Sequence, residues 1–105
     1  MARITALAPD LFFASKIDAT LKAAGHDVTI VGQGPIAGDP QLVIVDLDNT
    51  PDLEAGLGRG APTLGFYSHV DVETRRRAEQ AGFDLVVPRS RMAREMPQLV
   101  DSLLD

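Results

Sequence analysis

The sequence predicts an α/β protein built on a five-stranded, doubly wound parallel sheet, and three observations carry that prediction. Leu42-Val43-Ile44-Val45 is an apolar run without alternation, closed by Asp46, as in a strand covered on both faces. Similar short runs alternate along the chain with segments of helical periodicity, the order that builds parallel sheets. Proline or glycine punctuates nearly every change from one to the other.

The elements follow in order. Ile4 to Ala8 is a first strand, closed by Pro9. Asp10 then caps a helix in which Phe13, Ile17, Leu21 and Ala24 form one buried stripe, and Gly25 ends it. Val28 to Val31 is the second strand, Leu42 to Asp46 the third, and Thr63 to Tyr67, after Pro62, the fourth. Asp71 caps a helix to about Gln80, and Gly82 stops it. Leu85 to Val87 is the fifth strand, stopped by Pro88. From Ser90 onward, Met92, Met96, Leu99, Val100, Leu103 and Leu104 recur at helical spacing, with Pro97 dividing a short turn from a terminal helix.

Two crossovers are thin. Residues 32–40 contain three glycines and two prolines, a composition that supports no regular helix. Between the third and fourth strands, only Asp52 to Leu57 has the makings of a turn or two, before Gly58-Arg59-Gly60. The second and third helices of the fold are thus abbreviated. One side of the sheet is expected to expose apolar strand surface, which usually means a partner.

Composition bounds the function. A chain of 105 residues is one domain, 1–105, with room for a single core. No apolar run approaches the roughly 20 residues that cross a bilayer, and no signal-peptide pattern opens the chain. Without cysteine there are no disulfides, thiolate metal sites or cysteine nucleophiles. The expected location is cytoplasmic, with no membrane partner. A net charge of −5 argues against direct nucleic-acid binding, which needs a basic footprint.

Several motifs carry little chemistry. Gly32-Gln33-Gly34-Pro35-Ile36-Ala37 satisfies G-x-G-x-x-A formally, but no helix follows to face a pyrophosphate. It reads as a flexible loop, and whether loop 32–40 holds a small ligand stays open. Gly56-Leu57-Gly58-Arg59-Gly60 lacks the Gly-Lys-Ser/Thr ending of a phosphate cradle and reads as a turn. Arg75-Arg76-Arg77 spreads over nearly a full helical turn, with Glu73 and Glu79 in pairing range, so a solvated face is the plain reading. His26 and His69 lie at opposite ends of the sheet and are too few for zinc. Ser68, His69 and Asp71 are too close in sequence to form a catalytic set, so no enzyme activity is expected.

The chain resembles the receiver domains of bacterial response regulators over nearly its whole length, from Arg3 to Leu104. Leu42 to Asp48 looks like the strand that ends in the phospho-accepting aspartate. Pro62 to His69 is similar to the fourth strand and its switch loop, and Ala78 to Val87 to the segment of helix, glycine and fifth strand. The resemblance implies a flavodoxin-like fold and a place in two-component signal transduction. It puts Asp46 at the acceptor position, Tyr67 at the switch position with Ser68 beside it, and Arg89 where the family has a lysine. The family's acid pair falls on Ala8 and Pro9, which offer no side-chain ligand for a metal.

That departure matters because phosphoryl transfer rests on positioning and on neutralising charge over the transferred oxygens, largely by Mg²⁺. Asp10, Asp46 and Asp48 are weak replacement ligands, and Arg89 offsets charge without replacing a divalent ion. The expectation is a stand-alone degenerate receiver, or pseudo-receiver, with no cofactor. Asp46 would be a relic carboxylate held by Arg89 or nearby backbone donors, with Tyr67 and Arg89 filling the vacated space. Its partner would be another protein, a second copy of the chain included. The docking face implied by the family would use Arg75, Arg76, Met92 and Met96. The alternative is an active phosphoacceptor using Asp46 and Mg²⁺ in a rearranged metal site. No stretch of the chain reads as an output domain, so output would pass through the partner.

Overall fold

The computed structural model describes residues 2–33, 36–50, 60–68 and 72–104. Its elements are β1 (Arg3–Leu7), α1 (Leu11–Ala23), β2 (Asp27–Val31), β3 (Leu42–Asp46), β4 (Thr63–Tyr67), α2 (Val72–Ala81), β5 (Leu85–Pro88) and α3 (Arg89–Leu104). The five strands form one parallel sheet in the order β2-β1-β3-β4-β5. From β1 the chain steps outward to β2, then crosses back to β3 on the other side. The order therefore reverses between β1 and β3, and the crevice at the carboxyl ends of these strands is where open α/β sheets place their chemistry.

Strand alternation builds two cores. On one face Ile4, Ala6, Leu42, Ile44, Leu64, Phe66 and Val87 pack with Phe13 and Ile17 of α1 and with Met92, Met96 and Leu99 of α3. On the other face Leu7, Val43, Val45, Tyr67 and Val86 pack with Ile36, Leu47, Ala78 and Phe83. Contrary to the expectation of exposed apolar strand surface, the abbreviated β2–β3 crossover does not strip this second face. Leu7, Val43 and Val45 are 0% exposed, and Ile36 from the Gly/Pro-rich loop is itself 0% exposed among them. One aliphatic side chain inserted from a loop does here part of what a helix would do. Glycine inside β4 gives close packing room: a Cβ on Gly65 would sit 3.0 Å from Leu47 Cδ1 and 3.1 Å from Phe83 Cδ2, so those side chains would have to shift to admit it.

Helix ends follow the sequence closely. Asp10 caps α1, its Oδ1 accepting from the N–H groups of Phe12 (3.0 Å) and Phe13 (3.4 Å). Beyond α1, Gly25 takes φ +92°, Gly25 N–H donates to Lys22 C=O, and His26 N–H donates to Leu21 C=O. This is a Schellman closure, and Gly82 with Phe83 repeats it beyond α2. The proposed cap Asp71 and the segment Asp52 to Leu57 lie outside the described residues.

α3 begins at Arg89, directly after β5, and bends at Glu95 (φ −122°, ψ 20°), two residues before Pro97. The break expected from Pro97 is present, though both halves stay helical. Met92 and Met96 require correction as docking residues. Both are 0% exposed. Their helical spacing with Leu99 and Val100 marks the stripe that α3 buries against the sheet. Arg75 and Arg76 are exposed on α2, where Arg75 pairs with Glu79 at 3.4 Å.

Candidate functional site

The carboxyl edge of the sheet gathers residues from four strand ends. Asp10 follows β1, Asp46 ends β3, Asp48 lies in the turn beyond it, Ser68 follows β4, and Arg89 follows β5. Parallel strands all deliver their ends to one edge, so residues distant in sequence meet there.

Asp46 is 1% exposed and has both carboxylate oxygens engaged locally. Oδ1 accepts from Asp48 N–H at 3.1 Å, and Oδ2 accepts from Asn49 Nδ2 at 2.8 Å. The first bond closes an Asx turn, in which a short acidic side chain replaces a backbone acceptor as the chain leaves the strand. Asp48 is engaged in turn: its Oδ2 accepts from both the N–H and the hydroxyl of Ser68, each at 2.5 Å. The exits of β3 and β4 are thereby joined.

Arg89 does not hold Asp46, as one of the sequence-based alternatives had it. Its Nη2 donates to Asp10 Oδ2 at 2.5 Å, and its guanidinium lies 4.5 Å from the centroid of the Phe13 ring. Phe13 in turn meets Phe66 with 4.7 Å between ring centroids. The bond from Arg89 holds the Asp10 carboxyl below its ordinary range; partial burial opposes this, and the N–H groups of Phe13 and Phe12 and the Arg89 charge assist. Asp10 therefore serves as helix cap with one oxygen and as ion-pair partner with the other.

Tyr67 needs a related correction. Asp46 pairs in register with Phe66, and the next residue along the strand turns to the opposite face. Tyr67 packs there, 8% exposed, with Leu7, Val43 and Val45. The aromatic residue on the Arg89 side is Phe66. Phe13, Phe66 and Asn49 are the members of this edge that sequence reading missed. Asn49 carried a signal, standing three residues beyond Asp46 where an amide can reach back.

A divalent ion does not fit these residues. Ala8 is 1% exposed and, like Pro9, has no side-chain oxygen. Asp10 is tied to Arg89, and both oxygens of Asp46 are satisfied by N–H groups. Among the described residues no group of three or more His, Cys, Asp or Glu is placed to hold a metal ion. His69 and Asp71 lie outside the described residues. Among the described residues no helix is long and apolar enough to cross a membrane.

No protein-family model matches the chain, and no curated protein matches it in sequence. Solved structures do match. A CheY-like response regulator receiver domain from Methanospirillum hungatei JF-1 superposes with a TM-score of 0.86 at 18% identity, covering 100% of this chain and 94% of its own. A response regulator signal receiver domain from Bermanella marisrubri gives 0.81 at 19% identity, covering 98% of each chain. NtrX from Brucella abortus, solved in complex with ADP, gives 0.83 at 17% identity over 99% of this chain. The chain spans 27% of NtrX but nearly all of the two isolated receivers. It has the receiver fold.

Proposed function

We propose that this chain is an atypical receiver-like signalling domain that acts by contact with a protein partner and is not phosphorylated by the metal-dependent route. The observation that carries this reading is the Asp10–Arg89 pair. An arginine fixed on an acid, beside Ala8 and Pro9, stands at the edge where that route needs free carboxylates and a divalent ion. Asp46 in this reading is a turn-closing residue. The partner, a second copy of the chain included, would meet a surface containing Arg75 and Arg76.

A second reading, phosphorylation of Asp46 with Mg²⁺ in a rearranged centre drawing on Asp10 and Asp48, is favoured by one observation. Asp46 closes β3 at the switch point of the sheet. Titration with Mg²⁺ and beryllofluoride, followed by amide shifts at Asp46, Ser68 and Arg89, separates the two. The first reading expects no saturable change, and saturable shifts that vanish in Asp46→Asn would overturn it. Size-exclusion chromatography with light scattering tests self-association.

A further inference from the structure

β2 lies at one edge of the sheet, and nothing in its sequence blunts that edge. Edge strands of monomeric proteins usually carry a lysine, a proline or a bulge that discourages pairing with another chain. β5, at the opposite edge, is short and ends in Pro88. β2 reads Asp27-Val28-Thr29-Ile30-Val31, an unbroken β-branched run after one acid, with none of these devices.

The hydrogen bonds of the strand identify the unused groups. Asp27 N–H donates to Ala2 C=O at 2.9 Å, and Val31 C=O accepts from Ala8 N–H at 3.0 Å. Alternate residues of a parallel ladder turn both backbone groups to the same neighbour, so Asp27, Thr29 and Val31 face β1 while Val28 and Ile30 face outward. Among the described residues no hydrogen bond reaches the outward N–H and C=O of Val28 and Ile30. The side chains of these two residues are half-buried against the core that α1 covers. Thr29 is exposed on the other face.

We infer that β2 pairs antiparallel with β2 of a second copy of this chain, about a two-fold axis at Thr29. This centre is the one that opposes every residue of the strand. It sets Val28 against the partner's Ile30, and Ile30 against the partner's Val28, so their outward groups exchange N–H···O=C bonds in both directions. Both pairs are apolar and β-branched, and they carry the core on the α1 side across the seam. On the other face Thr29 meets the partner's Thr29, a favourable cross-strand pair. Charge permits the register as well. Asp27 falls opposite the partner's Val31, which leaves the two Asp27 residues roughly 14 Å apart along the strands. The contact is isologous and closes at two chains. It uses neither the carboxyl edge nor the surface of Arg75 and Arg76, so it is independent of the phosphorylation reading and leaves that surface for a further partner.

Light scattering and amide exchange on the intact chain test the inference. A dimer should grow with concentration, and the Val28 and Ile30 amides should exchange about tenfold or more slower in concentrated than in dilute samples. Because Thr29 is exposed, Thr29→Lys and Thr29→Glu should each keep the fold and nearly the same thermal midpoint. Each sets like charges face to face and should be monomeric, whereas an equimolar mixture of the two should recover the dimer. A wild type that stays monomeric at every concentration would overturn the inference. So would a dimer that survives Thr29→Lys, or one formed without added protection at Val28 and Ile30. A dimer kept in Thr29→Lys but lost when Arg75→Glu and Arg76→Glu are combined would overturn the β2 contact and support the α2 surface instead.

Discussion

Arg89 and Asp10 are 79 residues apart in sequence and joined by an ion pair at the carboxyl edge of the sheet, with the guanidinium against the Phe13 ring. The pair forms only when β1 and β5 are in place, and it fixes the start of α1 relative to the start of α3.

That relationship has a pH signature. The Asp10 carboxyl is held below its ordinary value of 3.8 in the folded chain, so its contribution to stability is present above that value. It is lost as pH falls through the folded value, because the unfolded chain takes up the proton first. Urea unfolding of the wild type and of Arg89→Gln should differ most near neutral pH. The gap should narrow as the solution is acidified through the ordinary aspartate range. A constant gap across that range would show that Arg89 acts through Phe13 alone.

Asp46 should matter for stability independently of any phosphoryl chemistry. Replacing it by alanine leaves the Asp48 N–H and the Asn49 amide without their acceptor and should cost about 1–3 kcal/mol. Asp46→Asn keeps one carbonyl acceptor for the turn and should cost less. Chemical denaturation of the two variants, compared at one pH, checks the order.

The link between the β3 and β4 exits is open to a double-mutant cycle. Asp48→Ala and Ser68→Ala should each lower stability, and together by less than their sum, with a coupling of about 1 kcal/mol. The Ser68 amide resonance should move upfield in Asp48→Ala, since its N–H no longer donates to a carboxylate. Strict additivity would mean that the bond contributes nothing net in solution.

Ile36 is the anchor of the Gly/Pro-rich loop. Truncation to alanine at a fully buried position should cost about 2–5 kcal/mol. It should also speed amide exchange at Gln41, whose N–H donates to Arg3 C=O. Ile36→Val, which keeps most of the volume, should show both effects weakly.

The strands, the capped start of α1, the glycine closures and the bend in α3 were legible because each depends on neighbouring residues. Apolar runs, Asp10, Gly25, Gly82 and Pro97 state their roles locally. The destination of Arg89 was not legible, since Asp10, Asp46 and Asp48 all stand at the same sheet edge and only three-dimensional spacing chooses among them. Tyr67 was misplaced by one step of strand alternation, which exchanges the two faces of a sheet. Met92 and Met96 show the reverse error, where a pattern that signals burial was assigned to a surface because of family likeness. That Ala8 and Pro9 offer no side-chain oxygen was readable directly.

The bend in α3 divides its cooperativity. Pro97 has no N–H to offer the carbonyl of Ala93, and Glu95 departs from helical geometry, so the hydrogen-bond ladder is interrupted at the point where the helix changes direction. The half that carries Arg89 and Met92 is secured by the ion pair and the core. The half ending at Leu103 and Leu104 is secured by Met96, Leu99 and Val100 in the core and by the bond from the Ser102 hydroxyl to Leu99 C=O. The interruption lets the two halves differ in amide exchange, although Met96, Leu99 and Val100 still bury the distal half in the core. One helix in the fold is in this sense two hydrogen-bonded units joined at Glu95.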